Sequence, residues 1–326
     1  MNKPFFEEVL PQLFRAEIPL PRNPLKATNS YLIKSRERNL IIDTGMNREE
    51  CMTAFSAVLR ELQIDLAQTD FFITHLHADH LGLVSELAKP SSRIFFNRLD
   101  AAVVTYGDLW KLLFNAAKKH GFHEEELKEA LFKHPGYRYS HSGPINFEYL
   151  HEGDRLTYGP YTFTCVHTPG HTPGHLCLYE QSQKLFLSGD HILGDITPNI
   201  SAWEDSENPL QQYLQSLDKV SRMEIELLLP GHRRVVSDCR GRIEELKKHH
   251  HERLEEVSSI IRAKGPSNAY EIASHMEWDI EASDWEHFPI TQKWFAIGEA
   301  IAHLHYLEEV GKIRRKEQNG TVLFYP

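Results

Sequence analysis

The sequence lacks the features that mark several large classes of protein. No apolar stretch reaches the roughly 18 residues that a membrane-spanning helix needs. The first twenty residues carry acids and prolines, where an export signal needs a basic stretch and then an apolar run. Only 4 cysteines occur, far apart and without a CxxC pair, as is typical of buried thiols in a reducing compartment. We therefore expect a cytoplasmic protein with no membrane segment.

Positive charge is also scarce. The chain has 326 residues, with 36 Lys and Arg against 46 Asp and Glu, and a formal net charge of −10. Affinity for a nucleic acid backbone comes chiefly from clustered Lys and Arg, so nucleic acid is an unfavoured partner. The 41% of hydrophobic residues is typical of a globular protein, and the length suits one large domain with or without a smaller one.

The order of apolar runs predicts an α/β protein. Residues 14–45 contain two strand-like runs around a polar turn, which indicates a hairpin. Residues 48–62 have helical spacing, and a short buried strand is predicted just before Thr74. More strand-like runs follow, each ending in Gly, Asp or His. A helical block at about 99–140 interrupts this alternation and resembles an insertion.

A second domain is predicted from a change in composition near residue 240. A charged helix ends at Gly265-Pro266, and a second helix precedes a hairpin that turns at Asn319-Gly320. Helices followed by a hairpin are the outline of a winged helix. Residues 240–326 contain 12 Lys and Arg against 15 Asp and Glu, a net charge of −3. We therefore predict domains 1–240 and 241–326. We expect the second to serve assembly, such as a homodimer, or to support a lid, and not to bind nucleic acid.

Histidine is abundant, with 20 residues, and four candidate metal ligands lie together. His75, His77, Asp79 and His80 follow directly after a predicted buried strand. Imidazole and carboxylate groups are zinc ligands, and a tight turn can direct the first two at one ion and the last two at another. A polar turn that is His-rich by chance is the alternative, and the density of ligands argues against it.

Three more candidate ligands end later strand-like runs beside glycine: His171, Asp190 and His232. Active sites of layered α/β proteins lie at such strand ends. Seven ligands suit two metal ions bridged by one carboxylate and one hydroxide. The donor types suit zinc best, and iron or manganese are also compatible.

The motifs HxHxDH, PGHTPGH, SGD and PGH, with IIDTG upstream, resemble in this order those of the metallo-β-lactamase superfamily. The resemblance spans about residues 10–240 and implies the four-layer αββα fold. The C-terminal part is similar to the winged-helix appendage of a glyoxalase II-like branch that includes the β-lactamase-like protein 2 group. Carried over to this sequence, the resemblance assigns one ion to His75, His77 and His171, the other to Asp79, His80 and His232, and the bridge to Asp190.

Other acids and histidines near these motifs receive supporting roles. The resemblance implies that Asp43 of IIDTG is a buried acid that orients ligands, and His175 is expected to support the ligands without binding metal. The run His249-His250-His251 diverges around a helix and cannot converge on one ion, so we interpret it as a solvated helix face.

The predicted chemistry is hydrolysis of a small ester, thioester or lactone. Two metal ions lower the pKa of a bridging water, and Asp79 is placed to orient that water or move its proton. Trp110, Leu113 and Phe114 of the insertion favour an apolar acyl part if they form a lid, although they could equally pack within the insertion. The alternative is a metal-dependent endoribonuclease or phosphodiesterase with the same ligands. A DNA-binding regulator without activity is a third possibility, disfavoured by the complete ligand set.

Overall fold

The chain folds into two compact units. The computed structural model describes residues 5–105, 109–202, 204 and 206–326. The first unit comprises residues 1–106, 139–198 and 219–242, and the second comprises residues 107–138, 199–218 and 243–326. Along the described ranges, no helix is both long and apolar enough to cross a membrane.

The first unit is built on two β-sheets in which chain neighbours are also neighbours in space. The first sheet consists of β1 (Phe6–Leu10), β2 (Leu13–Pro19), β3 (Ala27–Ile33), β4 (Asn39–Ile42), β5 (Thr69–Phe72), β6 (Ile94–Asn97) and β7 (Glu148–Leu150). The second sheet consists of β8 (Arg155–Tyr158), β9 (Tyr161–His167), β10 (Leu176–Glu180), β11 (Leu185–Gly189) and β12 (Leu227–Pro230). Strands β4 to β7 are parallel, and so is the pair β11 and β12.

Four helices lie wholly in the first unit: α1 (Glu49–Leu62), α2 (Ala78–Leu81), α3 (Val84–Leu87) and α4 (Arg98–Thr105). Two contribute residues to both units: α8 (Pro209–Val220) and α9 (Cys239–Lys264). The second unit also contains α5 (Leu109–Lys119), α6 (Glu124–Lys133), α7 (Pro135–Arg138), α10 (Ala269–Ala273), α11 (Ile290–Glu309) and the hairpin of β13 (Arg314–Gln318) and β14 (Thr321–Tyr325).

Alternation along the strands builds two separate cores. In β5, Phe72 points into a core shared by the two sheets, whereas Phe71 points into a core with helix α1. Successive residues of a strand face opposite sides of its sheet, so four-residue strands that are apolar on both faces are buried on both sides. Helix α1 presents Phe55, Leu59 and Leu62 to the second of these cores. The predicted α/β class is confirmed, with two sheets packed face to face.

Most predicted elements of the first unit are observed. The hairpin around residues 34–38 is formed by β3 and β4, and the predicted helix at 48–62 is α1. Strands β1, β7 and β8 were not predicted. All three are edge strands with one strand neighbour each. At most of their positions the side chain is partly or wholly exposed, and they lack the apolar run that marks a central strand.

The inserted helices α5, α6 and α7 belong to the second unit. Lys293 of α11 is buried and forms a 2.6 Å ion pair with Glu126 of α6, and Tyr270 donates a 3.0 Å hydrogen bond to the same carboxylate. The hairpin turns at Asn319-Gly320 as predicted, with both residues at positive φ. The interpretation of residues 249–251 as a solvated face was wrong for His250, which is buried against His303.

Candidate metal centre

Five of the seven candidate ligands lie on loops that follow strand ends, and Asp79 and His80 lie on helix α2. His75 and His77 follow β5, Asp190 follows β11 and His232 follows β12. Because β11 and β12 are neighbouring parallel strands, their carboxyl ends bring Asp190 and His232 to one edge of the second sheet. Strand β5 belongs to the first sheet, which packs face to face with the second. His171 lies in the loop between β9 and β10.

Three imidazoles form the first set of ligands. The Nδ1 atom of His77 lies 3.0 Å from His75 Nε2 and 2.9 Å from His171 Nε2. The three donor atoms are all within 4.8 Å of one another. Burial lowers the pKa of His75 well below its usual range and that of His77 to about 3. These two rings are therefore neutral near pH 7, and a neutral imidazole is the form that binds a metal ion.

A second set consists of Asp79, His80 and His232, whose donor atoms also lie within 4.8 Å of one another. His232 Nε2 lies 3.3 Å from His80 Nε2 and 3.3 Å from Asp79 Oδ2. Asp79 and His80 are on helix α2, which begins immediately after His77. The turn of the HxHxDH motif thus distributes its four side chains between the two sets.

Asp190 lies between the two sets. Its Oδ2 atom is 3.7 Å from His171 Nε2 and 3.4 Å from His232 Nε2. Its Oδ1 atom is buried and has no hydrogen-bond partner among the described residues. A buried carboxylate oxygen without a donor carries a large desolvation cost unless a cation faces it, so this atom fits a metal site.

The outer nitrogens of two imidazoles show how the ligands are oriented. His80 Nδ1 lies 2.7 Å from Asp43 Oδ2, and His232 Nδ1 lies 2.7 Å from the carbonyl oxygen of Ala27. Both partners only accept, so each Nδ1 must carry the hydrogen. In a neutral ring this leaves a lone pair on Nε2, and these two lone pairs face each other at 3.3 Å. Such an arrangement requires a cation between them, either a metal ion or a proton.

The charges of the centre favour a cation. Burial alone would lower the pKa of His80 and His232, but the carboxylates of Asp190 and Asp79 raise both, to about 10 for His232, and Asp43 further raises that of His80. Burial would likewise raise the pKa of Asp79 and Asp190, but the two imidazoles hold it below its usual range. Both acids are therefore ionised, and the centre as a whole is arranged around positive charge.

Three residues hold the ligand loops without being candidate ligands. Asp43 accepts hydrogen bonds from the amide and hydroxyl of Thr74, 2.8 Å each, as well as from His80. His175 is buried, and its Nε2 accepts a 3.1 Å hydrogen bond from the amide of Asp190. Asn29, which the sequence did not single out, donates from its side chain to the carbonyls on both sides of the His232 loop, Pro230 and Arg233, at 2.9 Å each.

Asp100 was also missed, and it contacts the loops of the first set. In the sequence, Asp100 is recognisable only as an acid shortly after a predicted strand, as Asp190 is after β11. It is not part of a His-rich motif such as those that contain the candidate ligands. Of the insertion residues, Trp110 packs on His134 at 5.0 Å between ring centroids, and Leu112 is 57% exposed. The proposed lid stays a prediction.

Comparison with known proteins gives consistent matches. The sequence profile of the metallo-beta-lactamase superfamily matches residues 23–232, and that of a metallo-beta-lactamase-like C-terminal domain matches residues 285–326. A crystal structure of a metallo-beta-lactamase family protein from Thermus thermophilus superposes with a TM-score of 0.83 at 28% identity. It covers 98% of this chain and 100% of that one.

Curated relatives are also similar. A beta-lactamase-like protein 2 homolog of Drosophila melanogaster is 29% identical over 89% of this chain and 85% of its own length. An atrochrysone carboxyl ACP thioesterase of Emericella nidulans is 27% identical over 73% of this chain. The match spans 60% of that thioesterase and 61% of a lactamase-like protein from the same organism.

Proposed function

The chain belongs to the metallo-β-lactamase superfamily, and we propose that it is a dinuclear metal-dependent hydrolase of a small ester, thioester or lactone. Zinc is the proposed metal, because six histidine and aspartate side chains in two sets, with one shared carboxylate, match its preferred donors. The ligands we propose are His75, His77 and His171 for one ion, Asp79, His80 and His232 for the other, and Asp190 for both.

The observation that carries this proposal is the position of Asp190, within 3.7 Å of a donor atom of each set. Two metal ions held in this way lower the pKa of a shared water and supply a nucleophile near neutral pH. The chain's own residues orient the ligands, through Asp43 on His80 and Ala27 on His232. Since the pKa of Asp79 is held below its usual range, Asp79 is a weak base, and we assign it to orienting the water.

Support for the acyl substrate comes from charge and from the relatives. A chain of net charge −10 repels polyphosphate, and one relative carries the name of an acyl carrier protein thioesterase. Hydroxide attacks carbonyl carbon and phosphorus alike, so the centre alone does not choose between an ester and a phosphodiester. A cytoplasmic location, a winged-helix appendage and a homodimer stay predictions.

Metal content tests the centre directly. We expect the protein reconstituted with zinc to hold two equivalents by elemental analysis and His171→Ala to hold about one. The matched control is His151→Ala, which removes an exposed histidine of the same unit and should keep both ions. Less than one equivalent in the reconstituted wild-type protein would refute the proposal.

A competition assay tests the substrate class. Acyl thioesters and lactones of increasing chain length are compared with bis-nitrophenyl phosphate and a structured RNA, and kcat/KM should rise with acyl length. If kcat/KM is flat with chain length and highest for RNA or the phosphodiester, the endoribonuclease or phosphodiesterase alternative replaces this proposal.

A further inference from the structure

We propose that Asp100 is a positioning residue that fixes the geometry of the first ligand set, His75, His77 and His171. The inference rests on the proposed function, since it concerns how that set is arranged to bind metal. Asp100 is the third residue of α4, directly after the end of β6, and its side chain is fully buried. It belongs to none of the groups of candidate ligands.

One carboxylate joins two loops that are about a hundred residues apart in sequence. Asp100 Oδ2 accepts a 2.9 Å hydrogen bond from the amide of Leu76 and a 2.8 Å bond from the hydroxyl of Thr172. Its Oδ1 accepts a 2.6 Å bond from the amide of Gly174. Leu76 lies between His75 and His77, and Thr172 follows His171. The backbone segments that carry all three imidazoles are therefore held by the same side chain.

The approach of the second loop depends on glycine. A Cβ atom at Gly174 would lie 2.6 Å from the backbone nitrogen of Asp100 and 2.6 Å from its Oδ1. Real Cβ atoms do not approach other atoms so closely, so any side chain at this position would push the loop away from the carboxylate. This close approach gives the second glycine of HTPGHTPGH a physical role, because both the backbone and the carboxylate of Asp100 leave no room for a side chain there.

Asp100 differs from Asp70, another buried carboxylate of this unit that lies outside the centre. Asp70 is paired with Arg38 and Arg93, whereas Asp100 forms no ion pair within the described ranges and has three neutral donors. Burial raises the pKa of Asp100 to about 6, although the three hydrogen bonds lower it. A buried acid without a cation is costly to fold, and the three hydrogen bonds that Asp100 accepts from the two loops offset part of this cost.

Asp100→Asn isolates the effect, since it keeps the volume and removes one acceptor oxygen. An amide nitrogen cannot accept, so Leu76 or Gly174 loses its partner and the loops separate. Loss of such an outer partner weakens metal binding by roughly 10–100-fold. We expect that loss for one of the two ions, while the second set, held by Asp43 and Asn29, keeps its affinity. Thr172→Val, which removes a single donor at constant shape, should give a smaller loss in the same direction.

Two measurements test the inference. The first is competition for zinc with a chelator of known affinity, which counts the ions and ranks their affinities. The second is amide hydrogen exchange of the metal-free protein, in which Leu76 or Gly174 should exchange roughly tenfold faster in Asp100→Asn than in the wild type. The matched control is Asp70→Asn, which removes a buried carboxylate from its ion pairs and should lower stability without changing either readout.

The outcomes separate this inference from the proposed function. Unchanged exchange at both amides, or two ions bound by Asp100→Asn with wild-type affinity, would overturn the role of Asp100. Equal loss of metal in Asp70→Asn would also overturn it, because the cause would then be general destabilisation. If the wild-type protein binds no metal while the exchange result holds, the proposed function fails and the junction between the loops still stands.

Discussion

Asp43→Asn should weaken binding of the ion held by the second ligand set while leaving the fold intact. Asp43 has φ +59°, a left-handed conformation that Asn tolerates well and most other residues do not, so this substitution adds little backbone strain. The new amide oxygen can still accept from the amide of Thr74. The amide nitrogen then replaces Oδ2, which accepts from His80 Nδ1 at 2.7 Å and from the Thr74 hydroxyl at 2.8 Å.

The size of the effect follows from that one contact. An amide N–H facing His80 forces the imidazole to accept at Nδ1 and to carry its hydrogen on Nε2, the atom directed at the ion. A hydrogen bond to a charged group is worth about 1.5–3 kcal/mol, which corresponds to roughly 10–150-fold in affinity. We therefore expect the second zinc ion to bind at least tenfold more weakly, with a matching fall in turnover.

Competition with a chelator measures the zinc affinity of the second ligand set. Thermal unfolding of the metal-free wild type and variant shows whether Asp43→Asn also changes the stability of the fold. The first ion should lose less affinity than the second, because it is linked to Asp43 only through the Thr74 hydroxyl, which lies 2.9 Å from His75 Nδ1, whereas His80 contacts Asp43 directly. If Asp43→Asn binds both ions as tightly as the wild type, the orientation of His80 by Asp43 does not matter for binding. The assignment of Nε2 as the donor atom would then be wrong.

Further changes test other parts of the structure. Asp190→Asn should no longer hold two ions together and should lose most of its activity, because Asp190 is the proposed ligand of both ions. A variant with two ions and full kcat would show that Asp190 is not the shared ligand. Burial alone would raise the pKa of Asp70, but hydrogen bonds from Arg38, Arg93 and Tyr158 lower it from 3.8 to about 2. A carboxylate with a lowered pKa stabilises the fold above its unfolded pKa, and this stability is lost as the pH falls, so Asp70 should account for about 2 kcal/mol of the stability that the metal-free protein loses between pH 4 and pH 2. In urea titrations, Asp70→Asn should lose less stability than the wild type over this range, by about that amount. The full chain should not bind RNA or duplex DNA at micromolar concentration, and tight binding with a steep salt dependence would contradict the charge argument.

Much of the first unit could be predicted because its signals are local. The strands β4 and β5 are short apolar runs bounded by polar turns, and the helix α1 repeats apolar residues at helical spacing, so each element is evident within its own window. Edge strands such as β1 carry no such pattern, because one side of the strand faces solvent. The placement of the inserted helices could not be predicted, since their packing partner, α11, is more than 150 residues further along the chain.

The burial of His250 could not be predicted from the sequence either. Three consecutive histidines on a charged helix are typical of a solvated surface, and two of the three are not buried. The third faces His303 of α11 at 3.2 Å between ring nitrogens. Burial of a polar side chain is decided by whether a distant element supplies a partner, and the sequence of one helix does not contain that information.

In the metal centre, the candidate ligands could be predicted from the sequence, whereas the residues that position them could not. Four of the seven candidate ligands lie within six residues, so their chemistry is visible in sequence. Asp100 and Asn29 each stand alone among unremarkable neighbours, and their roles arise only when β6 and β3 bring them to loops that begin far away. Imidazole donors misplaced by an ångström bind a metal ion poorly. A chain that kept all seven ligands and lost Asp100 would therefore preserve every recognisable motif while losing the geometry on which the chemistry depends.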